Sequence, residues 1–119
     1  MERKIIISLG SNFCQQESME RAQNMLRNIF QTISFSKVMR TLPIDMESDR
    51  FFNCLAFARS KKNESEIVKE LKAIQKACGD TPSLRKKSII KMDLDLLLFG
   101  DEKRHIEDWN RNYVKQLIQ

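Results

Sequence analysis

The stretch KMDLDLLLFG, residues 91–100, is the part of the sequence that decides the fold. In its first half, hydrophobic residues alternate with Asp93 and Asp95, which is the period of a strand with one buried face. Residues two apart on a strand share a face, so we expect these carboxylates side by side at roughly 7 Å. Like charges that close are unfavourable unless a cation neutralises them, and Mg²⁺ binds carboxylate oxygens. The pattern is short, and a solvated acidic strand face without a ligand is an equally good interpretation of this stretch alone.

Length and composition indicate one globular domain, spanning residues 1–119 and large enough for a hydrophobic core. No apolar run approaches the roughly 20 residues of a membrane span, and the apolar part of the N-terminus is too short for a secretory signal. The 3 cysteines are an odd count at unrelated spacings, which argues against a disulfide framework and a zinc site. A single histidine, His105, excludes a histidine-rich metal site. We therefore expect a cytoplasmic protein that is not bound to a membrane.

The charge distribution suits an anionic partner. The net charge of +5 is compatible with binding of nucleotide phosphates or nucleic acid, although composition alone favours an ordinary solvated basic surface. The most basic short stretch is the polar segment 80–88, which leads directly into the strand with the two aspartates. A cationic loop beside a carboxylate pair suits a phosphate chain bridged by Mg²⁺, whereas a charge run is more often simply solvated. The candidate nucleotide-binding residues are Arg85, Lys86, Lys87 and Lys91.

The rest of the chain predicts strands and helices in a recognisable order. The predicted elements are strand 4–9 with a turn at 10–12, helix 17–31, strand 33–41, strand 51–59, a helix from the capping Asn63 to the left-handed cap Gly79, the strand that contains Asp93, and a last helix over 107–119. This order predicts an α+β fold of the ferredoxin-like β-α-β-β-α-β type, with helices on one face of an antiparallel sheet. Trp109 and Tyr113 are expected to pack the C-terminal helix onto the sheet.

Asn53 is the polar exception in the predicted strand 51–59. An amide in an apolar strand must be hydrogen-bonded, or it destabilises the fold. Asn offers both a donor and an acceptor, which suits an aminopyrimidinone edge, and Phe51 on the same face offers a surface for stacking on a flat ring. An Asn53 that hydrogen-bonds the backbone of a neighbouring loop is an equally good interpretation.

Three blocks of the sequence resemble the 6-hydroxymethyl-7,8-dihydropterin pyrophosphokinase family of folate biosynthesis. They are SLGSN at 8–12, FFN at 51–53 and DLDLLLFG at 93–100, and they occur in the family's order and at about its spacing over roughly residues 4–101. The resemblance implies the same ferredoxin-like fold. It also implies an enzyme that transfers the terminal diphosphate of ATP to the hydroxymethyl group of the pterin and releases AMP.

The resemblance assigns roles to individual residues. Asp93 and Asp95 are implied to be the catalytic pair and the ligands of Mg²⁺, which bridges the phosphates of the co-substrate ATP. The implied pterin-binding residues are Thr41, Pro43, Ile44, Phe51 and Asn53. The expected partners are therefore two small molecules, pterin and ATP, and the oligomeric state is left open.

Several family features are absent from this sequence. Ile90 stands where the family has an arginine, three positions before the first metal-binding aspartate. The preceding mobile loop, which normally carries arginines and a tryptophan, has Asp80 and Pro82 early and Lys87 near the place of the tryptophan. The family also continues into a His-Pro segment followed by an arginine that contacts ATP; His105 is not followed by Pro and receives no such role.

Three functions follow in order of preference. The first is the diphosphate transfer itself, weakened by the missing contacts, because Lys does not replace a bidentate Arg on phosphate. The second is a pterin- or nucleotide-binding protein on the same fold without turnover. The third is a basic nucleic-acid-binding module of ferredoxin-like fold. We regard nucleic acid as the least favoured partner, because the aromatic signature of RNA-binding sheets is missing.

Overall fold

The computed structural model describes residues 1–43 and 48–118. Its strands are β1 Arg3–Ser11, β2 Thr32–Phe35, β3 Met39–Thr41, β4 Phe51–Ser60, β5 Asp93–Phe99 and β6 Glu102–Lys103; its helices are α1 Gln15–Ile29, α2 Glu64–Ala77, α3 Pro82–Lys86 and α4 Asn112–Leu117, with a 3₁₀ turn at Ile106–Asn110. The strands form one antiparallel sheet in the order β2-β4-β1-β5-β6, with β3 also paired to β4. The predicted α+β ferredoxin-like arrangement is confirmed. Within the described residues, no helix combines the length and the apolar character needed to cross a membrane.

The sheet has a hydrophobic cluster on each face. On one face, alternate residues of β1 pack against α1 and α2; the main contributors are Ile5, Ile7, Leu9, Met19, Leu26, Ile67 and Leu71. On the other face, residues of β1, β4 and β5 pack against the C-terminal segment through Ile6, Leu55, Leu97, Val114 and Leu117. Trp109 and Tyr113 pack into this second cluster, as expected. The C-terminal segment therefore covers the face that α1 and α2 leave open.

A bulge in β5 separates an acidic part from an apolar part of this strand. Asp93 pairs with Gly10 and Asp95 with Ser8, so their side chains lie on the face away from α1 and α2. The register then shifts, and Leu97 becomes an extra residue opposite β1. Beyond the bulge, β5 buries apolar side chains on both faces. The acidic start of β5 borders space that a ligand can enter.

The predicted strand 33–41 is divided into β2 and β3. Phe35 pairs with Ala56 and Met39 with Asn53. The chain therefore advances four residues from β2 to β3 while β4 advances three, which makes a bulge. Ser36 lies at this bulge: its backbone N–H donates to Leu55 O at 2.8 Å, and its Oγ accepts from Leu55 N at 2.9 Å. The serine side chain replaces a ladder hydrogen bond, which allows β3 to continue beside β4.

The segment 80–88, expected to be a loop, contains the short helix α3. Thr81 Oγ1 accepts a hydrogen bond from Leu84 N at 3.1 Å, and Pro82 is the first helical residue. A threonine N-cap followed by proline is a helix-start signal, but here it lies inside a polar stretch without an apolar period. The helix matters because it orients Arg85.

The predicted helix 107–119 is interrupted. The 3₁₀ turn is followed by an extended residue, Arg111, with φ −71° and ψ 140°, before α4 begins. The indole N–H of Trp109 donates to Leu97 O and to Arg104 O, both at 3.1 Å, which ties the turn to β5. The interruption directs polar residues of this segment towards the sheet face that lies away from α1 and α2.

Candidate active site

A cavity of about 780 Å³ lies on the sheet face away from α1 and α2. Its walls come from β1, β3, β4, β5, the segment around α3, and the C-terminal segment. Six of the residues predicted for the site line it: Thr41, Phe51, Asn53, Arg85, Asp93 and Asp95. Residues from distant parts of the sequence are thus brought to one concave surface, which is where ligand sites usually form.

Asp93 and Asp95 face the cavity with side chains that are 39% and 29% exposed. Burial, together with the neighbouring charge of Asp93, raises the pKa of Asp95 to about 7. Among the described residues, no group of three or more His, Cys, Asp or Glu side chains could hold a metal ion. The pair of carboxylates fits Mg²⁺, which binds few protein oxygens and takes its remaining ligands from water and phosphate.

Arg85 lies beside this pair. Its Nη2 donates to Asp93 Oδ1 at 3.1 Å and to Met92 O at 3.3 Å, and its Nε donates to Asp80 Oδ1 at 2.8 Å. A guanidinium so placed reduces the repulsion between the two strand carboxylates. We call Arg85, Asp93 and Asp95 the charged half of the cavity.

The predicted lysines lie elsewhere. Lys86 and Lys87 are exposed at the end of α3, and they are not among the described residues that line the cavity. Lys91 Nζ lies 5.5 Å from the centre of the Phe13 ring, and its side chain passes over Gly79, which has the expected positive φ of 94°. A nucleotide-binding role for these three lysines stays a prediction.

Asn53 is buried and hydrogen-bonded, but to a side chain rather than to loop backbone. Its Nδ2 donates to Thr41 Oγ1, and Asn53 is paired in the sheet with Gly10. A Cβ at Gly10 would lie 3.0 Å from Asn53 Oδ1 and 3.7 Å from the Phe51 ring. We call Gly10, Thr41, Phe51 and Asn53 the neutral half of the cavity. Pro43 is half-buried and does not line it, and Ile44 lies outside the described residues.

Of the turn expected at residues 10–12, Gly10 and Ser11 belong to β1, and Asn12, which follows the strand, holds a distant segment. Asn12 Oδ1 accepts from Ile90 N at 2.7 Å, and its Nδ2 donates to Ser88 O at 2.8 Å. A backbone bond from Asn12 N to Ile90 O at 3.0 Å completes the contact. This asparagine therefore fixes the connection from α3 to β5, and with it Ile90, which lines the cavity.

The C-terminal segment supplies cavity residues that the sequence did not reveal. They are Asp108, Asn110, Arg111, Asn112 and Tyr113. Arg111 Nε donates to Asp108 Oδ1 at 2.8 Å, while burial and the charge of Asp108 raise the pKa of Tyr113 to about 12. The available signal was the polar run 110–112, which interrupts the apolar period of the predicted helix and favours a turn.

The fold and the cavity together define a class of protein. A ferredoxin-like sheet that presents a carboxylate pair and an arginine beside a neutral aromatic wall is suited to binding a flat substrate and a phosphorylated one. Residues 6–118 match the model of the 7,8-dihydro-6-hydroxymethylpterin-pyrophosphokinase (HPPK) family, and the chain belongs to this family. The match includes the C-terminal segment, so it extends beyond residue 101.

A curated relative agrees with this assignment. The chain is 29% identical over 106 residues to a folate synthesis bifunctional protein from Chlamydia muridarum (strain MoPn / Nigg). The alignment covers 82% of this chain and 23% of the relative. The chain thus spans less than a quarter of the length of that relative.

Proposed function

We propose that this chain catalyses the Mg²⁺-dependent transfer of the terminal diphosphate of ATP to 6-hydroxymethyl-7,8-dihydropterin, a step of folate biosynthesis. The observation that carries the proposal is the presence of a neutral half and a charged half in one cavity. Asn53 and Asp93 both pair with Gly10, from opposite sides of β1, so they are separated by two strand spacings, or about 10 Å. This separation suits a bicyclic ring on one side and the reacting phosphates on the other.

The neutral half supplies recognition of the pterin ring. Asn53, held by Thr41, offers its amide to the pyrimidinone edge, and Phe51 offers its ring for stacking. Gly10 leaves space for the ligand beside Asn53, because a side chain at position 10 would contact the Asn53 carboxamide. The hydroxymethyl group would then extend over β1 towards β5.

The charged half supplies binding of the nucleotide. Asp93 and Asp95 would hold Mg²⁺, which when bound neutralises phosphate charge and orients the phosphate chain. Arg85 adds a positive charge beside Asp93 that does not depend on the metal. Such chemistry depends on positioning and charge neutralisation more than on a protein nucleophile.

A specific observation favours the second candidate, ligand binding without turnover. Ile90 lines the cavity and is 6% exposed, so an apolar side chain occupies the position of the family arginine. Loss of one preorganised charge contact to a transferring group commonly lowers the rate by about a hundredfold or more. Binding would survive such a loss better than catalysis.

The deciding experiment measures AMP release from ATP, Mg²⁺ and 6-hydroxymethyl-7,8-dihydropterin. Pterin-dependent AMP formation that falls at least about a hundredfold in Asp93→Asn would support the transfer. The matched control is Glu64→Gln, which breaks a two-bond ion pair with Arg104, at 2.8 Å for both bonds, outside the cavity. Ligand binding without AMP would favour the second candidate. Mg²⁺-dependent nucleotide affinity that is unaffected by Asp93→Asn would contradict the proposed transfer.

A further inference from the structure

We infer that Asp80 is a positioning residue that holds the Arg85 guanidinium against Asp93, ready to bind a nucleotide phosphate. This inference rests on the proposed function, because it concerns the same charged half. Asp80 itself is not among the described residues that line the main cavity. It lies beside a smaller cavity of about 390 Å³ at the edge of β5. Asp80 therefore acts on a ligand through Arg85.

The contacts of Arg85 leave part of its guanidinium available. The Nε–H is shared between both carboxylate oxygens of Asp80, at 2.8 and 2.9 Å, and Nη2 is used by Asp93 and Met92 O. No described residue accepts a hydrogen bond from Nη1. Because the side chain is 35% exposed and lines the main cavity, Nη1 can donate to an anionic ligand.

The backbone around Asp80 is fixed on both sides. Asp80 N donates to Gln75 O at 3.0 Å, where α2 ends, and the Thr81 side chain caps α3 immediately after it. Gln75 Oε1 in turn accepts from Leu94 N at 2.7 Å, which joins the end of α2 to β5. Asp80, with a side chain only 12% exposed, is thus held in a fixed position relative to Asp93.

Asp80 has two effects of opposite sign on an anionic ligand. Its negative charge lowers the attraction between this site and phosphate, but water and salt screen that effect at a partly exposed pair. Its hydrogen bond with Nε removes the freedom of a long side chain, so that less order is lost when a phosphate binds. We expect the second effect to be larger. Loss of Asp80 should then weaken nucleotide binding, whereas a simple counter-ion role would strengthen it.

The test is a calorimetric double-mutant cycle with Mg²⁺ and an ATP analogue that carries a methylene group between its α- and β-phosphates. Asp80→Asn and Arg85→Gln should each weaken binding about tenfold, and the double variant should bind no more weakly than Arg85→Gln alone. Asp80→Glu should retain most of the affinity, because it keeps a carboxylate. Glu64→Gln is the matched control. Thermal unfolding, followed by the fluorescence of the single tryptophan, checks that each variant is folded.

The possible results separate this inference from the proposed function. Unchanged or tighter binding in folded Asp80→Asn, or losses that add in the double variant, would overturn the positioning role and leave the proposed function intact. No binding of the analogue by the wild-type protein would overturn both. A loss of affinity in Asp80→Asn that disappears in the Arg85→Gln background is the result we expect.

Discussion

The neutral half and the charged half of the cavity are held in place by different kinds of structure. The neutral half lies on paired strands, where Asn53 of β4 pairs with Gly10 of β1 on one side and with Met39 of β3 on the other. The charged half depends on a five-residue helix and on the start of β5, where the Leu94 N–H is bound by a side chain. Strand pairing therefore fixes the neutral half, whereas the charged half combines the pairing of β5 with side-chain hydrogen bonds made by Arg85 and Gln75.

This difference predicts how each half responds to change. The hydrogen bonds between paired strands fix a single register. A substitution in the neutral half should therefore act through steric fit, and its effect should stay close to the substituted residue. The charged half is connected through single side chains, so one substitution there should alter both stability and nucleotide binding.

Gly10→Val tests whether the neutral half is independent. The new side chain would meet Asn53 Oδ1, so the carboxamide would have to turn away from Thr41. We expect pterin binding to weaken by about a hundredfold, because a displaced Asn53 amide can no longer form its hydrogen bonds with the pterin. Affinity for the Mg²⁺–nucleotide analogue should stay within about twofold, because charges and hydrogen bonds of the charged half are unchanged. Calorimetry with each ligand measures both effects.

Ser34→Val is the matched control for this substitution. It also places a β-branched residue in a strand, but at an exposed position of β2 outside the cavity. It should leave both affinities unchanged. Equal losses of pterin and nucleotide affinity in Gly10→Val would show that the two halves move together.

Asn12→Ala tests the side-chain support of the charged half. The substitution leaves the buried Ile90 N–H and Ser88 O without their partners. We expect the free energy of unfolding to fall by about 2 kcal/mol, which is typical for buried polar groups that lose a hydrogen bond. Nucleotide affinity should also fall, because the connection from α3 to β5 loosens. Urea denaturation, followed by the fluorescence of Trp109, and calorimetry measure the two changes.

Asn63→Ala is the control for that experiment. Asn63 caps α2, accepting from Glu66 N at 2.9 Å, so its removal should lower stability by about 1 kcal/mol without reaching the cavity. Nucleotide affinity should then be unchanged. If Asn12→Ala lowers stability but leaves nucleotide affinity intact, the charged half does not depend on this contact.

The contrast between the halves also explains what the sequence could and could not predict. Strand alternation is a local pattern, so it was sufficient to place Asp93 and Asp95 on one face and to single out Asn53. The contact between Asn12 and Ile90 joins residues 78 positions apart, and no local pattern predicts it. The family resemblance implied a metal-binding role for Asp93 and Asp95 but could not supply partners for the arginine at position 85.

The C-terminal segment shows the same limit. Its apolar period predicted packing on the sheet, which is confirmed for Trp109. The break at Arg111 depends on the indole hydrogen bonds to Leu97 and Arg104, which require the folded sheet. The sequence therefore could not predict that Tyr113 lines the cavity, because no local pattern distinguishes a cavity-lining residue from a core residue.

Tyr113 provides the smallest and most local test, because it is the only tyrosine of the chain and borders the cavity beside Ser8 and Asp95. Burial, followed by the charge of Asp108, raises its pKa to about 12, from an ordinary value near 10. The folded protein thus favours the neutral phenol. The resulting stability should be fully present below about pH 10 and should be lost as the pH rises towards 12.

The absorbance of tyrosinate during an alkaline titration measures this pKa directly. Tyr113→Phe should remove the absorbance change and flatten the dependence of stability on pH between 10 and 12, while stability near neutral pH should change little. A midpoint near 10 in the native protein would mean that the ring is solvated, and that the C-terminal segment does not close the cavity. A midpoint near 12 that rises further with bound nucleotide would indicate that a ligand in the charged half adds negative charge next to this wall.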